Sequence, residues 1–153
     1  KEPVDFAALL ADTMEKMQTV TTSHEVTLGT NDPALVNGDP VLLRQLLRVF
    51  LENSLKYTPE GGHIRVSSVG TADGSRVMVT IADDGIGIAP EHQPRIFDRF
   101  YRVDSSRTKE TGGSGLGLSI ARWIAERHNI KISLRSEVDE GTTVILTIPT
   151  IHE

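Results

Sequence analysis

The sequence predicts a mixed α/β domain. Three observations carry that prediction: three stretches with apolar residues at helical spacing, five shorter stretches in which apolar residues alternate, and Pro- and Gly-rich breaks between them. One domain spanning 1–153 is the simplest organisation, and the chain is long enough to bury a core.

Val4, Leu9, Leu10, Met14 and Met17 predict a first helix from about Asp5 to Val20, with Asp5 placed to cap it. Glu25 to Thr30 alternates as a short strand, and Asn31-Asp32-Pro33 is a turn signal. Asp39-Pro40 opens a second helix, with Asp as N-cap and Pro at the first helical position, and this helix runs to about Tyr57 before Pro59-Glu60-Gly61-Gly62. His63 to Gly70 and Arg76 to Ala82 flank Thr71-Ala72-Asp73-Gly74-Ser75 as a β-hairpin. Pro90 to Gly113 reads as a long loop with a short helical piece at Pro94 to Arg99, and long loops inside compact domains are usually functional lids or disordered. A third helix is expected from near Ser114 to His128-Asn129, where Asn serves as a left-handed cap. Ile130 to Ser136 and Thr142 to Pro149 form a last hairpin around Val138-Asp139-Glu140-Gly141.

Composition excludes several function classes. A net charge of −5 leaves no basic footprint for nucleic acid. Without Cys there is neither a disulfide framework nor a thiolate metal site. No apolar run approaches the ~20 residues that cross a bilayer, and Lys1-Glu2-Pro3 is not the start of a signal peptide. The missing initiator Met predicts a piece of something larger.

Four features carry chemistry. Val77, Val79 and Ile81 share the buried face of a strand, and the next residue in that series is Asp83, followed at once by Gly85 and Gly87. A buried carboxylate is costly without a partner, so Asp83 is expected to accept a hydrogen bond from a ligand at the mouth of the core. On this segment alone an ordinary Asp-Gly turn explains the pattern equally well.

In the second helix Leu46, Phe50, Asn53 and Tyr57 lie at i, i+4, i+7 and i+11, which places Asn53 inside an apolar stripe. Its amide oxygen suits Mg²⁺, with Lys56 as a point charge for phosphate and Tyr57 as a flat apolar ring. A buried Asn bonded to backbone is the competing explanation. Gly112-Gly113-Ser114-Gly115-Leu116-Gly117 opens the third helix and would let free N–H groups converge on an anion, unless it is a lid hinge. It fits neither a P-loop nor a dinucleotide fingerprint. Thr142 ends the core-facing series Thr142, Val144, Leu146, Ile148, so its hydroxyl and Asp83 are expected to meet directly or through water.

These residues together resemble the nucleotide-binding domain of sensor histidine kinases, in the wider group that includes DNA gyrase, mismatch-repair ATPases and a chaperone class. Leu51 to Pro59 is similar to the family's Asn box, and Asp83-Asp84-Gly85-Ile86-Gly87-Ile88 to its first glycine box. Ile96 to Arg102 resembles the Phe box, Gly113 to Leu118 the second glycine box, and Gly141-Thr142-Thr143 the third. The resemblance covers nearly the whole chain, with five motifs in order.

It implies a two-layer α/β sandwich, three helices on a mixed, mostly antiparallel sheet, with ATP between the helices and a lid at about 89–113. It further implies that Asp83 bonds the adenine amino group with Thr142 supporting through water, and that Asn53 ligates Mg²⁺. Lys56 and the backbone of Gly113, Gly115, Leu116 and Gly117 would face the phosphates, and Tyr57, with Gly85 and Gly87 near it, would line the nucleotide. Arg102 and Arg107 on the lid are candidate phosphate contacts, with a solvated surface charge the stronger alternative for Arg107.

The implied activity is ATP-dependent protein-histidine phosphorylation, in which this domain positions Mg-ATP and contributes no catalytic residue of its own. Val49, four residues before Asn53, stands where the hydrolysing relatives carry a Glu as general base; a valine takes no proton, which argues against an efficient ATPase. The acceptor is absent. His24-Glu25 lacks the helical context of the family's phosphoacceptor, and His63, His92, His128 and His152 have no metal-ligand spacing and are expected at the surface.

The implied partners are a histidine-bearing dimerisation domain of the same protein and a response regulator receiver domain. The parent would be a homodimer and this piece a monomer, cytoplasmic, with the parent anchored in the cell membrane. A serine-directed kinase of the anti-sigma type and a nucleotide-binding module without turnover remain as alternatives.

Overall fold

A computed structural model of the chain describes residues 1–97 and 117–151. The chain runs β1 (Glu2–Asp5), α1 (Phe6–Val20), β2 (Glu25–Asn31), β3 (Leu35–Gly38), α2 (Pro40–Tyr57), β4 (His63–Gly70), β5 (Arg76–Asp83), α3 (Gly117–Arg127), β6 (Lys131–Glu137) and β7 (Gly141–Pro149). The main sheet has the order β2-β4-β5-β7-β6, with β2 parallel to β4 and the remaining pairs antiparallel. The three helices lie on one face of it. This is the expected two-layer arrangement.

Local chemistry explains the helix starts. The Asp5 carboxylate accepts from Ala8 N–H at 3.0 Å, and Asp39 accepts from Val41 N–H at 2.9 Å with Pro40 at the first helical position. α1 buries Phe6, Leu9, Leu10, Met14 and Met17; α2 buries Leu43, Leu46, Leu47, Phe50 and Leu51 against Ile64, Val66, Val77, Val79, Ile81, Leu146 and Ile148 of the sheet. The β4–β5 turn is closed by Asp73, whose carboxylate takes Thr71 Oγ1 at 2.8 Å, Ser75 N–H at 2.9 Å and Ser75 Oγ at 2.7 Å. These bonds hold its pKa down at about 2.

Three sequence expectations are corrected. β1 and β3 form a separate two-stranded antiparallel sheet, with Val4 opposite Val36, so Val4 belongs to a strand and not to the first helix. The short helical piece expected at Pro94 to Arg99 is a 3₁₀ turn at Gln93–Arg95 within the described residues. His128 is not a surface residue. At 5% exposure it donates from Nδ1 to Ile124 O at 2.8 Å and accepts Asp39 N–H on Nε2 at 3.1 Å, tying the end of α3 to the start of α2. Asn129 adopts φ +56°, the left-handed cap expected after α3.

Arg102, Arg107, Gly113, Ser114, Gly115, Leu116, His152 and most of the expected lid fall outside the described residues.

Candidate functional site

β5 carries Val77, Val79 and Ile81 into the core and ends on Asp83, which pairs with Ile64 of β4 on one side and Thr142 of β7 on the other. Asp83 Oδ1 accepts Gly85 N–H at 3.0 Å and Thr142 N–H at 3.1 Å. Burial pushes the Asp83 carboxyl above the ordinary range. The two N–H groups and Ser54 pull it back only in part, and the charge of Asp84 adds to the upward push. Asp83 and Thr142 therefore meet directly, through the Thr142 backbone. The Thr142 hydroxyl is engaged elsewhere, with Ser136 Oγ at 2.8 Å, which also accepts Ile88 N–H at 2.7 Å.

The glycines let three chain segments close on this point. A side chain on Gly85 would sit 2.3 Å from Tyr57 O, so α2 and the turn after β5 can touch only if this residue has none. Gly87, at φ +74°, lies against Glu137, and Gly141, at φ +124°, against the carbonyl of Asp83; a Cβ would come within 2.0 Å and 2.1 Å of those backbone oxygens. The hydrogen bonds Ile86 N–H to Tyr57 O, 3.0 Å, and Asp139 N–H to Ile86 O, 2.8 Å, hold the assembly together.

On α2 the buried polar residue is Ser54, not Asn53. Ser54 continues the stripe of Leu43, Leu47 and Phe50 and is 6% exposed, while Asn53, Lys56 and Tyr57 are half-buried along its rim. Among the described residues neither the Asn53 amide nor the Lys56 ammonium has a hydrogen-bond or ion-pair partner, so the competing explanation of Asn53 as a backbone-bonded structural amide fails there. Val49, one helical turn before Asn53, faces the start of α3; a side chain on Gly117 would meet its Cγ1 at 3.7 Å. The anchor of the expected Phe box is also visible: Phe97 packs edge-on against Phe50, ring centroids 6.5 Å apart.

The expected residues thus divide. Asp83, Gly85, Gly87, Thr142 and Tyr57 converge on one junction, Asn53 and Lys56 border it on α2, and Gly117 opens α3 beside Val49. Arg102, Gly113, Gly115 and Leu116 lie outside the described residues.

Sequence reasoning missed Ser54 and Ser136, because a serine in a helix or strand gives no periodic signal. It also missed the other face of the Asp83 turn. There Asp84 accepts His63 N–H at 2.8 Å and His63 Nδ1 at 2.9 Å, and His63 Nε2 reaches Glu25 Oε2 at 3.2 Å. These bonds hold the Asp84 carboxyl below its usual range. The doubled acid Asp83-Asp84 was the available signal: one carboxylate faces the core and the other the strand edge.

The family described as Histidine kinase-, DNA gyrase B-, and HSP90-like ATPase matches residues 38–152. The chain belongs to that family. Two relatives within it are histidine kinases. Sensor histidine kinase YkoH of Bacillus subtilis is 38% identical over 144 residues, covering 94% of this chain and 31% of that kinase. Histidine protein kinase SaeS of Staphylococcus aureus is 44% identical over 106 residues, 69% of this chain and 30% of that kinase. The chain therefore spans about a third of the length of these curated relatives.

Among solved structures, the mycobacterial sensor histidine kinase MprB superposes with a TM-score of 0.87 at 27% identity, covering 99% of this chain and all of that one. Full-length ShkA, solved in complex with AMPPNP, gives 0.79 at 29% identity over 99% of this chain and 31% of its own. The histidine kinase-type ATPase domain is thereby established as the fold and family of this chain. No helix among the described residues is long and apolar enough to cross a membrane.

Proposed function

We propose that this ATPase domain binds ATP with Mg²⁺ at the junction of α2, the Asp83–Gly87 turn and the start of α3, and presents the γ-phosphoryl group to a histidine on a dimerisation domain elsewhere in a longer protein. The observation that carries this is Asp83. It is a carboxylate at the rim of the core, held on one oxygen by donors from the turn after β5 and from β7, with accepting capacity left for a donor from outside, and the adenine amino group is such a donor.

The residues fit both groups on the chemistry of this site. The Asn53 amide, without a partner among the described residues, supplies an oxygen for Mg²⁺, which favours oxygen ligands and retains waters. Bound Mg²⁺ would supply charge neutralisation at the phosphates. Lys56 offers a cation unpaired among the described residues, and Gly117, with Gly113, Gly115 and Leu116 before it in the sequence, backbone N–H groups at a helix start. Tyr57 lines the purine, Thr142 holds Asp83, and Arg102 reaches the phosphates from the lid, with Arg107 a weaker candidate. Val49 stands where a general base would activate water, which supports transfer to a separate acceptor over hydrolysis.

The parent would then be a membrane-anchored homodimer that relays the phosphoryl group to a response regulator. Calorimetric titration with ATP and GTP, each with and without Mg²⁺, tests the binding step; ATP preferred over GTP and a Mg²⁺-dependent affinity are expected. Supplying an acceptor helix pair in trans tests the transfer. An acid-labile phosphoprotein supports a histidine acceptor, and an acid-stable one indicates a hydroxyl.

A further inference from the structure

The main sheet carries its helices on one face, and its other face is uncovered among the described residues. There the register runs from Arg65 on β4 through Ala82 and Thr143 to Arg135 on β6 in a single row. Ile145 occupies the next row, and Met78 and Lys131 the one after. Arg76 lies on the same face of β5, two residues before Met78. All four cations are exposed, and between them Met78, 39% exposed, and the half-buried Ile145 form an apolar centre.

These charges are not spent inside the molecule. Arg65, Lys131 and Arg135 have no ion-pair partner among the described residues, and Arg76 is balanced only in part, by Asp73 in the adjoining turn. The acids on the same face, Glu25 and Glu137, sit beyond the row of Arg65 and Arg135, and Glu25 is engaged by His63. A chain of net charge −5 therefore gathers four cations on one flat surface.

We propose that this open face docks an acidic protein surface, one that sets carboxylates on either side of an apolar side chain. Three strand spacings separate Arg65 from Arg135, about 14 Å, and the matching carboxylates need the same separation. Three of the four cations are Arg, whose planar fork takes a carboxylate through two parallel bonds. An apolar centre holding Met inside an Arg rim is also the anatomy of a protein interface. A second copy does not fit as a symmetric occupant, because face to face it would set these cations against one another. A lipid surface fits less well, since the described rows hold none of the Trp or Phe of membrane-surface faces. With its side chains the patch covers roughly 500 Å², below the ~800 Å² per partner of a standard interface, so the complex is transient. Asp83 follows Val77, Val79 and Ile81 on the helix side of the sheet, so this docking leaves the nucleotide junction open and does not depend on it.

The test uses a random copolymer of glutamate and tyrosine as the acidic probe, followed by amide chemical shifts of this chain. Shifts are expected along β4, β5, β6 and β7 around Met78 and Ile145. The double variant Arg65→Glu, Arg135→Glu should weaken binding by tenfold or more, and the neutral pair Arg65→Gln, Arg135→Gln by less. These positions are exposed, and an unchanged amide spectrum of the free variants shows that they fold. Raising the salt should weaken binding as well, and polyglutamate, which lacks the apolar group, should bind more weakly than the copolymer.

Shifts centred on another surface, or affinity unchanged in both double variants, would overturn the assignment. Binding to phosphatidylglycerol vesicles without binding to the copolymer would overturn it in favour of a lipid surface. Self-association of the wild type that the charge-reversed variant abolishes would overturn it in favour of a second copy.

Discussion

Asp83→Asn separates what the carboxylate does for binding from what it costs the fold. In the variant the amide oxygen can keep both Oδ1 partners, Gly85 N–H and Thr142 N–H, which turns the NH₂ toward the incoming purine. A donor then faces a donor. The lost bond to a charged acceptor is worth about 1.5–3 kcal/mol, so ATP should bind on the order of 30-fold more weakly, about 2 kcal/mol at 1.4 kcal/mol per decade.

Stability moves the other way. Burial raises the folded pKa of Asp83 above 3.8, so the folded state holds this proton more tightly than the unfolded chain does. The stability it contributes is complete below 3.8 and is lost as pH rises through the folded pKa. At neutral pH the ionised group is a net cost that Asn removes. Because the carboxylate keeps part of its hydration, the gain is at most about 1 kcal/mol. Calorimetry with ATP and urea unfolding at pH 7 and pH 3.5 measure both effects, with the stability gap closing at the lower pH. Unchanged ATP affinity would refute the assignment of Asp83 to the purine, and a variant less stable than wild type at pH 7 would refute the electrostatic account.

Other perturbations have defined outcomes. Asn53→Ala should flatten the Mg²⁺ dependence of ATP affinity while leaving Mg²⁺-free binding near the wild-type value, checked by the same titration with and without the metal. Gly141→Ala puts a Cβ 2.1 Å from the Asp83 carbonyl at φ +124°, so it should destabilise by about 2–3 kcal/mol in chemical unfolding and weaken ATP binding by displacing Asp83. Thr58→Val keeps the shape and removes a buried hydroxyl that has no partner among the described residues, and should raise the unfolding free energy by about 1 kcal/mol, read by urea titration. The stabilising bonds of Asp73 are present above pH 3.8 and are lost as pH falls toward its folded pKa of about 2. The stability difference between wild type and Asp73→Asn, followed by urea titration, should therefore shrink across that interval and vanish below it.

Sequence reasoning found Asp83 because its signal is local: a period-two stripe ending on an acid, then two glycines. The helix starts at Asp5 and Asp39 were legible for the same reason. β1 and β3 were not, since a four-residue strand holds too few alternations to stand out and Val4 fits a helical stripe equally well. His128 depends on Asp39, 89 residues away, and nothing near either residue announces the pairing. On α2, counting in steps of four and three chose Asn53 as the polar member of the buried stripe; packing against the sheet puts Ser54 there and leaves Asn53 at the rim. That one-residue rotation separates a structural amide from one free to meet a ligand. The family motifs were legible as an ordered set, although individually each admitted an ordinary explanation.

The bond from His128 to the backbone of Asp39 makes a pivot. Gly38 presses against the same imidazole, where a Cβ would meet Cδ2 at 2.7 Å, so α2 and α3 are clamped at the end remote from Asn53. From that fulcrum α3 extends eleven residues to Gly117, an arm of about 16 Å at 1.5 Å per residue. A tilt of about 5° at the clamp swings the glycine end by about 1.4 Å over that length, half a hydrogen-bond distance delivered where the helix start opens beside Val49. A small rotation at the clamp is amplified at the tip of the arm.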